Sequence, residues 1–290
     1  MLRWLMTLCL LCAVTQTALA QPTLNATQMA ETTAALSQPH DGALSPDGKR
    51  IFVTDMANSQ MRVLDAETLR LLNTFGRGEL SRPHDAEFDA RGRLLVADTG
   101  NDRIAVYAID GAQAKLVGEW KGLVGPEGVG VAPDGRVYAT NTGAGSVSIF
   151  RDGKLERTVG SYGSGAGQFS RPHDIEVDRD GRVYVVDSGN HRVQLFDAEM
   201  NHLATSSASL GLNEPKYLAF DGERIWLADE DNHRILLLDR SLKTIAMLGD
   251  GRPGRSASAY RKPEAVLARA PFVWVIDTYN DRIVRLRIAQ

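Results

Sequence analysis

Residues 171–196 read RPHDIEVDRDGRVYVVDSGNHRVQLF. The stretch holds three segments rich in Val, Ile, Leu, Phe and Tyr, and an Asp180-Gly181 pair separates the first two. Asp-Gly supplies the positive φ that a tight hairpin needs, so the stretch predicts short antiparallel strands. Its opening proline recurs at spacings of 44, 43, 46, 43 and 48 residues, at Pro39, Pro83, Pro126, Pro172, Pro215 and Pro263. A strand-rich repeat of this length is typical of a β-propeller blade, and six copies predict an all-β, six-bladed ring.

The ends of the repeat array predict how the ring closes. The sixth copy reaches Gln290 after only three strands. Before the first copy, Leu36-Ser37-Gln38-Pro39 matches Leu80-Ser81-Arg82-Pro83, which follows a complete fourth strand. We therefore predict that residues near 24–36 form the outermost strand of the last blade, which would hide two sheet edges.

The first twenty residues have the pattern of a cleavable signal peptide. Arg3 precedes an apolar run over residues 5–14, and Ala18-Leu19-Ala20 suits cleavage after Ala20. Both cysteines lie inside this segment, so the mature chain is expected to make no disulfide. The predicted location is periplasmic or secreted. The predicted divisions are a signal peptide at 1–20, a closing segment at 21–37 and the propeller at 38–290.

Composition excludes two classes of partner. The formal net charge is −3, so the chain has no basic excess for a nucleic acid backbone. No apolar stretch after the signal segment approaches the 18 or so residues of a membrane span. The mature protein is therefore expected to act without nucleic acid and without a membrane span, as a monomer.

One repeat position varies while its surroundings stay constant. The residue after each repeated proline is always ionisable, reading in order His40, His84, Glu127, His173, Lys216 and Glu264. Because the proline marks entry into the innermost strand, these six side chains are expected to converge on the channel. The following position adds carboxylates on three blades, at Asp41, Asp85 and Asp174.

Three imidazoles with nearby carboxylates predict a site for a divalent metal ion. His₃ with an open position is a common catalytic zinc arrangement, so zinc is the favoured cofactor, with His40, His84 and His173 as ligands. The alternative is that Pro-His-Asp was copied by repeat duplication and that its histidines only form hydrogen bonds inside the blades.

A second repeated element resembles a known family. Asn190-His191 and Asn232-His233 match the Asn-His pair of the NHL repeat. The wider Asp-x-x-Asn-x-Arg pattern occurs in four blades, beginning at Asp98, Asp187, Asp229 and Asp277. The first blade has Gln60 in place of the arginine, and the third begins at Asn141. The resemblance implies a six-bladed propeller, and we interpret these elements as loop clamps in which Asp and Asn bind local backbone and Arg reaches a carboxylate.

At His40, His84 and His173 the chain resembles the peptidyl-hydroxyglycine amidating lyase group of NHL propellers. That group places histidines from Pro-His motifs on a channel zinc ion, and the similar gluconolactonase-like propellers also place metal ligands just after a proline. The resemblance implies that Tyr279, with Arg171 or Arg82, completes the site.

The leading functional hypothesis is an exported, metal-dependent lyase that acts on a small hydroxylated or carbonyl substrate. Tyr279, Glu127 and Arg171 are the candidate catalytic residues, and Lys216 and Arg82 are the candidate substrate-binding residues. A bound metal would polarise a substrate oxygen, and Tyr279 or Glu127 would move the proton.

Two alternatives remain open from the sequence. The first is a non-catalytic propeller that binds a periplasmic protein, a peptide or a glycan, with the ionisable ring serving as a polar plug. In that case Lys216 is expected to pair with Glu127 or Glu264. The second is lactone hydrolysis, which differs from the leading hypothesis mainly in its substrate.

Overall fold

The computed structural model describes residues 22–289, which form six four-stranded antiparallel sheets around a central channel. Strand β1 (Ala26–Glu31) comes before the first blade. Blades 1 to 3 comprise β2 (Pro39–Leu44), β3 (Arg50–Asp55), β4 (Gln60–Asp65) and β5 (Leu71–Phe75); β6 (Pro83–Phe88), β7 (Arg93–Asp98), β8 (Arg103–Asp110) and β9 (Gln113–Trp120); and β10 (Pro126–Val131), β11 (Arg136–Asn141), β12 (Ser146–Arg151) and β13 (Lys154–Val159).

A short parallel pair joins blade 3 to blade 4 and consists of β14 (Ser161–Tyr162) and β15 (Gln168–Phe169). Blades 4 to 6 comprise β16 (Pro172–Val177), β17 (Val183–Asp187), β18 (Arg192–Phe196) and β19 (His202–Thr205); β20 (Pro215–Asp221), β21 (Arg224–Asp229), β22 (Arg234–Asp239) and β23 (Thr244–Leu248); and β24 (Ala265–Arg269), β25 (Phe272–Asp277) and β26 (Arg282–Ile288).

The helices of the described residues are single 3₁₀ turns, at Met56–Asn58, Thr99–Asn101, Ser188–Asn190, Ala208–Leu210, Glu230–Asn232 and Thr278–Asn280. Over residues 22–289, no helix has the length and apolar character needed to cross a bilayer. The predicted signal peptide and its cleavage after Ala20 lie outside the described residues.

The predicted ring closure is confirmed. Strand β1 pairs antiparallel with β26, from Ala26 opposite Ile288 to Glu31 opposite Val284. The sixth blade therefore takes its outermost strand from the start of the described chain and its other three strands from the end. This pairing covers one edge of β1 and one edge of β26, so neither of these two edges can pair with another chain.

The hydrophobic core is a ring of six clusters, one at each junction between neighbouring blades. At the junction of blades 2 and 3, for example, Leu95 and Ile104 pack against Val137 and Phe150. At the closing junction, the Trp274 indole donates to the backbone oxygen of Ala66, 2.8 Å away. Because the two faces of each sheet are covered by the two neighbouring blades, the second strand of a blade is a nearly continuous apolar run, as at residues 94–97 and 183–186.

The Asp-x-x-Asn-x-Arg elements form clamps that fix the loops at one face of the ring. Buried Asp98 accepts the Ser81 backbone N–H at 2.7 Å through Oδ1, and its Oδ2 accepts from Asn101 at 2.8 Å and from Arg103 at 2.7 Å. The same three contacts recur around Asp187, Asp229 and Asp277. Each clamp ties the strand entrance of its blade to the loop after the second strand.

The two departures from the clamp pattern have different outcomes. In blade 1, Arg62 supplies the guanidinium from two residues further along and donates to Asp55 at 2.7 Å. In blade 3, Asn141 accepts the Val124 backbone N–H at 3.0 Å and donates to Ser146 and Ser148. Blade 3 therefore keeps the loop contact with an uncharged residue, Asn141, at the clamp position.

Candidate functional site

A break in strand register places adjacent residues on the channel wall. In five blades the pairing of the innermost strand with its neighbour shifts just after the proline, as between Pro39 and Gly42 or between Pro83 and Ala86. A bulge of this kind turns a side chain away from strict alternation. His84 and Asp85 therefore both line the channel although they are neighbours in sequence.

The residues after the repeated prolines line one cavity of about 280 Å³ at the end of the channel where the innermost strands begin, and we call it the histidine cavity. All eight predicted site residues line it, namely His40, His84, His173, Glu127, Arg171, Lys216, Arg82 and Tyr279. Glu264, the sixth residue of the ring, lines it as well. The structure thus brings together residues from six blades that are far apart in sequence.

The three imidazoles lie side by side. The ring centres of His40 and His84 are 4.6 Å apart, and those of His84 and His173 are 6.2 Å apart. His40 Nδ1 donates to the Gln38 backbone oxygen at 3.0 Å, and His84 Nδ1 donates to the Arg82 backbone oxygen at 2.8 Å. These bonds fix the tautomer that leaves Nε2 with a lone pair.

The Nε2 atoms face carboxylates. His40 Nε2 lies 3.3 Å from Glu264, and Glu127 lies 3.4 Å from His173 Nε2 and 3.8 Å from His84 Nε2. Burial lowers the pKa of His84 to about 4 and takes the pKa of His40 and His173 well below the usual value, while burial raises the pKa of Glu127 and Glu264. Near neutral pH the histidines are therefore uncharged.

The cations of the cavity are distributed unevenly. Lys216 was predicted to pair with Glu127 or Glu264, but its ammonium lies 3.3 Å from Glu230 and 3.7 Å from Glu214. The difference arises because Glu230 belongs to the loop that follows β21 in the same blade as Lys216. Arg171 forms an ion pair with Glu214. Within residues 22–289, no carboxylate lies within ion-pair distance of the Arg82 guanidinium, although Arg82 is exposed at the cavity rim.

Tyr279 lies at the rim, in the 3₁₀ turn of blade 6. Its side chain is 40% exposed, and the Lys262 ammonium lies 5.3 Å from its ring centre. Partial burial raises the pKa of its hydroxyl, so it is protonated at neutral pH. The hydroxyl is thus in reach of a molecule that enters the cavity from solvent.

A second ring of cavity residues was not predicted from the sequence. Met56, Thr142 and Glu230 line the cavity, and each directly follows the clamp Asp or Asn of its blade. The equivalent hydroxyls of Thr99, Thr142 and Ser188 donate to the backbone oxygen of the proline that opens the next blade. Aligning the residue after each clamp would have revealed this position, because it holds a polar side chain in five of six copies.

The histidine cavity suits a divalent metal ion in donor type and in tautomer. Zinc takes unprotonated imidazole nitrogen, and Nε2 of His40 and His84 is in that state. In the described part of the chain, however, no three His, Cys, Asp or Glu side chains are gathered closely enough to form a ready-made ligand set. The Nδ1 atom of His173 also has no hydrogen-bond partner there to orient its ring.

The opposite end of the channel is lined by carboxylates. This second cavity, of about 300 Å³, contains Asp41, Asp85, Glu87 and Glu176 on its polar side, and we call it the carboxylate cavity. Burial raises the pKa of Asp85 to about 7 and that of Glu87 to about 8. The sequence analysis identified the aspartates but missed Glu87 and Glu176, which lie two residues further along the same strands.

Comparison with known proteins agrees with the fold. The family model of the NHL repeat matches residues 169–196, and that of the strictosidine synthase-like N-terminal family matches residues 112–143. Human NHL repeat-containing protein 3 is 31% identical over 140 residues, which cover 43% of this chain and 38% of the human protein. The chain thus spans about two fifths of the length of the curated relatives that it matches.

Two solved structures show the same architecture at low identity. Catalytically inactive virginiamycin B lyase from Staphylococcus aureus, with quinupristin, superposes with a TM-score of 0.66 at 11% identity and covers 92% of this chain and all of that one. An auxiliary nutrient binding protein from Bacteroides ovatus superposes with a TM-score of 0.68 at 14% identity, over 93% of this chain and 78% of that one. At these identities the likeness concerns the fold alone.

Proposed function

We propose that this six-bladed NHL-repeat propeller is an exported, metal-dependent lyase that acts on a small hydroxylated or carbonyl substrate in the histidine cavity. One observation carries the proposal: the Nε2 atoms of His40, His84 and His173 face two carboxylates at 3.3–3.8 Å. At His40 and His84, whose imidazoles are protonated at Nδ1, Nε2 offers only a lone pair, and an ionised carboxylate offers only acceptors. A proton or a cation is therefore needed between them.

His40, His84 and His173 would hold the metal ion, with Glu127 beside them. When bound, a divalent metal supplies Lewis acidity that polarises a substrate oxygen and lowers the pKa of a hydroxyl. The lowered pKa of the three histidines keeps them neutral, which is the form that ligates metal.

The residues of the chain can perform the proton transfers of a lyase. In such a reaction the substrate O–H bond breaks, the bond from the same carbon to the leaving atom breaks as the C=O bond forms, and the leaving atom takes up a proton. Glu127 lies in the cavity with a raised pKa, so it can accept the hydroxyl proton. The protonated Tyr279 hydroxyl at the rim can donate to the departing atom.

Arg82 is the best-placed residue to bind an anionic group of the substrate. Its guanidinium is exposed at the rim beside His84. The other two cations, Arg171 and Lys216, already form ion pairs with carboxylates of the protein. An arginine can bind a carboxylate through two parallel hydrogen bonds. We therefore assign substrate binding mainly to Arg82, with Lys216 and Arg171 shaping the opposite wall.

The same ion pairs favour a second candidate, which is non-catalytic binding of a small ligand, a peptide or a partner protein. Arg171, Glu214, Lys216, Glu230 and Lys262 form a continuous chain of charges across blades 4 to 6. Such a network can fill a channel without any chemistry. A propeller with this fold, from Bacteroides ovatus, is named for nutrient binding.

Metal analysis separates the two candidates. Protein purified without an affinity tag is expected to contain about one zinc or similar ion per chain. The His84→Ala and His173→Ala variants should lose the metal and the turnover of hydroxyglycine peptides together. His202→Ala is the matched control, because His202 lies on the exposed strand β19, where its imidazole meets Thr205 and Phe196.

Two results would contradict the lyase proposal. Equal metal content in wild type and in both histidine variants would show that His84 and His173 do not bind the metal. Metal-free wild-type protein that captures a partner from periplasmic extract but converts neither hydroxyglycine peptides nor lactones would favour binding. Conversion of lactones alone would indicate a hydrolase that uses the same site.

A further inference from the structure

We propose that Tyr217 is a positioning residue that fixes the orientation of the His173 imidazole in the histidine cavity. Tyr217 belongs to β20, the innermost strand of blade 5, and it is 1% exposed. It contacts two residues of the histidine cavity, His173 and Glu127. The consequence for metal binding rests on the proposed function, whereas the orientation of the ring can be measured without any metal.

His173 lacks the support that orients the other two histidines of the cavity. The Nδ1 atoms of His40 and His84 donate to backbone oxygens two residues earlier, at 3.0 and 2.8 Å. In His173, Nδ1 is buried and has no hydrogen-bond partner within residues 22–289. A hydrogen bond from the second ring nitrogen normally fixes the tautomer and orientation of a ligating histidine. Another contact is therefore needed to hold the His173 ring.

Tyr217 supplies that contact. The ring centres of Tyr217 and His173 are 4.7 Å apart, and the ring planes make an angle of 83°. Aromatic rings prefer such an edge-to-face arrangement at centre distances of about 4.5–7 Å. Glu127 lies 3.4 Å from His173 Nε2, so a tyrosine ring and a carboxylate hold this imidazole in place of a backbone oxygen.

Tyr217 is itself anchored to blades 3 and 6. Its hydroxyl donates to the Glu127 backbone oxygen at 3.3 Å, and its backbone N–H donates to the Glu264 backbone oxygen at 3.0 Å. At the repeat position of Tyr217, blade 3 has Gly128 and blade 6 has Ala265. These small residues leave room for a large side chain to reach from blade 5 to blade 3. Because the tyrosine is held at its backbone and at its hydroxyl, it can in turn hold a neighbouring ring.

The hydroxyl of Tyr217 stays protonated and so keeps its bond to blade 3. Burial raises the pKa of Tyr217 well above its usual value, and the charges of Asp85, Glu127, Asp41 and Glu264 raise it further. Two of these acids line each cavity, which places Tyr217 between the two cavities. A tyrosine that does not ionise acts through packing and one hydrogen bond, as a positioning residue does.

Relaxation of ¹³C-labelled histidine rings in the full-length mature protein tests the proposal without any metal. Tyr217→Leu should lower the order parameter of the His173 ring from about 0.85 to below about 0.6, because the ring loses its aromatic neighbour. Tyr217→Phe keeps that neighbour and should leave His173 as rigid as in the wild type. His84 is the internal control, since its Nδ1 bond does not involve Tyr217.

Tyr138→Leu is the matched control variant. Tyr138 is buried in the core between blades 3 and 4, and its hydroxyl also donates to a backbone oxygen, that of Ala198, at 2.8 Å. It lines neither cavity. Its replacement should therefore lower stability without changing the order parameter of His173.

Zinc titration gives a second readout, which rests on the proposed function. Tyr217→Leu should raise the dissociation constant for zinc at least about tenfold, as the loss of a contact that orients a ligand commonly does. Tyr217→Phe should bind zinc like the wild type, and so should Tyr138→Leu.

A His173 ring that stays as rigid in Tyr217→Leu as in the wild type would overturn the proposal, and an equal loss of order in Tyr138→Leu would do the same. If Tyr217→Leu does not fold, Tyr217→Met fills the space without a ring and gives the same comparison. Wild-type protein that binds no zinc, together with the expected loss of order in Tyr217→Leu, would contradict the metal site and support the role of Tyr217.

Discussion

The two ends of the channel are built from the same six strands but differ in charge. The histidine cavity has bases, acids and three cations, whereas the charged residues that line the carboxylate cavity within residues 22–289 are all acids. The boundary falls between neighbours in sequence, as between His40 and Asp41 or His84 and Asp85. The propeller therefore fixes where side chains meet, and one residue position in each repeat decides what chemistry results.

This difference in charge also determines how each end offsets the cost of burying its acidic side chains. At the histidine end, the positive charge of Lys216 lowers the pKa of Glu127 and Glu264 and so opposes part of the effect of burial. At the carboxylate end, burial raises the pKa of Glu176, and the charges of four neighbouring acids raise it further, namely Glu87, Asp174, Asp85 and Asp41. One end is thus balanced in part by ion pairs and the other by bound protons.

Removal of Lys216 should leave the buried acids of the histidine cavity without one of their positive counter-charges. We expect Lys216→Met to lower the free energy of unfolding by about 3 kcal/mol, because buried Glu230 and its neighbours lose a partly buried counter-charge. Urea denaturation of both proteins measures the change. Lys243→Met, at an exposed site, should change stability by less than about 0.5 kcal/mol. Equal losses in the two variants would show that Lys216 does not balance the cavity.

Replacement of one acid in the carboxylate cavity by a neutral residue should increase the free energy of unfolding in a pH-dependent way. The pKa of Glu87 rises from 4.5 to about 8, so the folded state holds its proton more tightly than the unfolded state. The resulting stability is full below pH 4.5 and is lost as the pH rises through 8. Glu87→Gln should therefore match the wild type near pH 4.5 and exceed it by about 2 kcal/mol at pH 8, which is roughly half of the full linkage energy because solvent screens this partly exposed carboxylate.

Urea midpoints at the two pH values test this prediction, with Glu67→Gln as an exposed control. A midpoint difference that stays constant between pH 4.5 and pH 8 would show that Glu87 does not titrate abnormally.

The smallest expected effect concerns the hydroxyl that holds His84 in place. Thr99 Oγ1 donates to the Pro126 backbone oxygen at 2.5 Å and lies 2.8 Å from His84 Nδ1. Thr99→Val keeps the shape of the side chain but removes the hydroxyl and its hydrogen bond to the Pro126 backbone oxygen. The free energy of unfolding should therefore fall by about 1 kcal/mol. The His84 ring should also become more mobile, which nuclear magnetic resonance relaxation would detect. An unchanged melting temperature with unchanged ring signals would argue against this role.

Features that repeat in the sequence could be predicted without coordinates. The clamp around Asp98, Asn101 and Arg103 follows from four copies of one pattern, and the convergence of the residues after the prolines follows from their position at the start of the innermost strand. The closing strand could be predicted because its flanking sequence copies a normal blade boundary. In each case the information is local and is confirmed by comparison of one repeat with the next.

Features that depend on contacts between repeats could not be predicted. The guanidinium of Arg62 takes over the clamp of blade 1 from a different register position. Lys216 pairs with Glu230 because a loop of its own blade turns toward the channel. Glu87 and Glu176 reach the carboxylate cavity because the bulge after the proline shifts which side of the strand faces inward. None of these depends on residue type alone.

The pairing of β1 with β26 has a consequence for biosynthesis. The ribosome makes β1 before the other described strands and β26 after them, so the sixth sheet can form only once all six blades have been synthesised. Contacts between such distant segments form slowly, because a long loop must close before they contribute any stability. A circular permutant that places β1 directly after β26 would turn this contact into a local hairpin, and we expect it to assemble faster than the natural order.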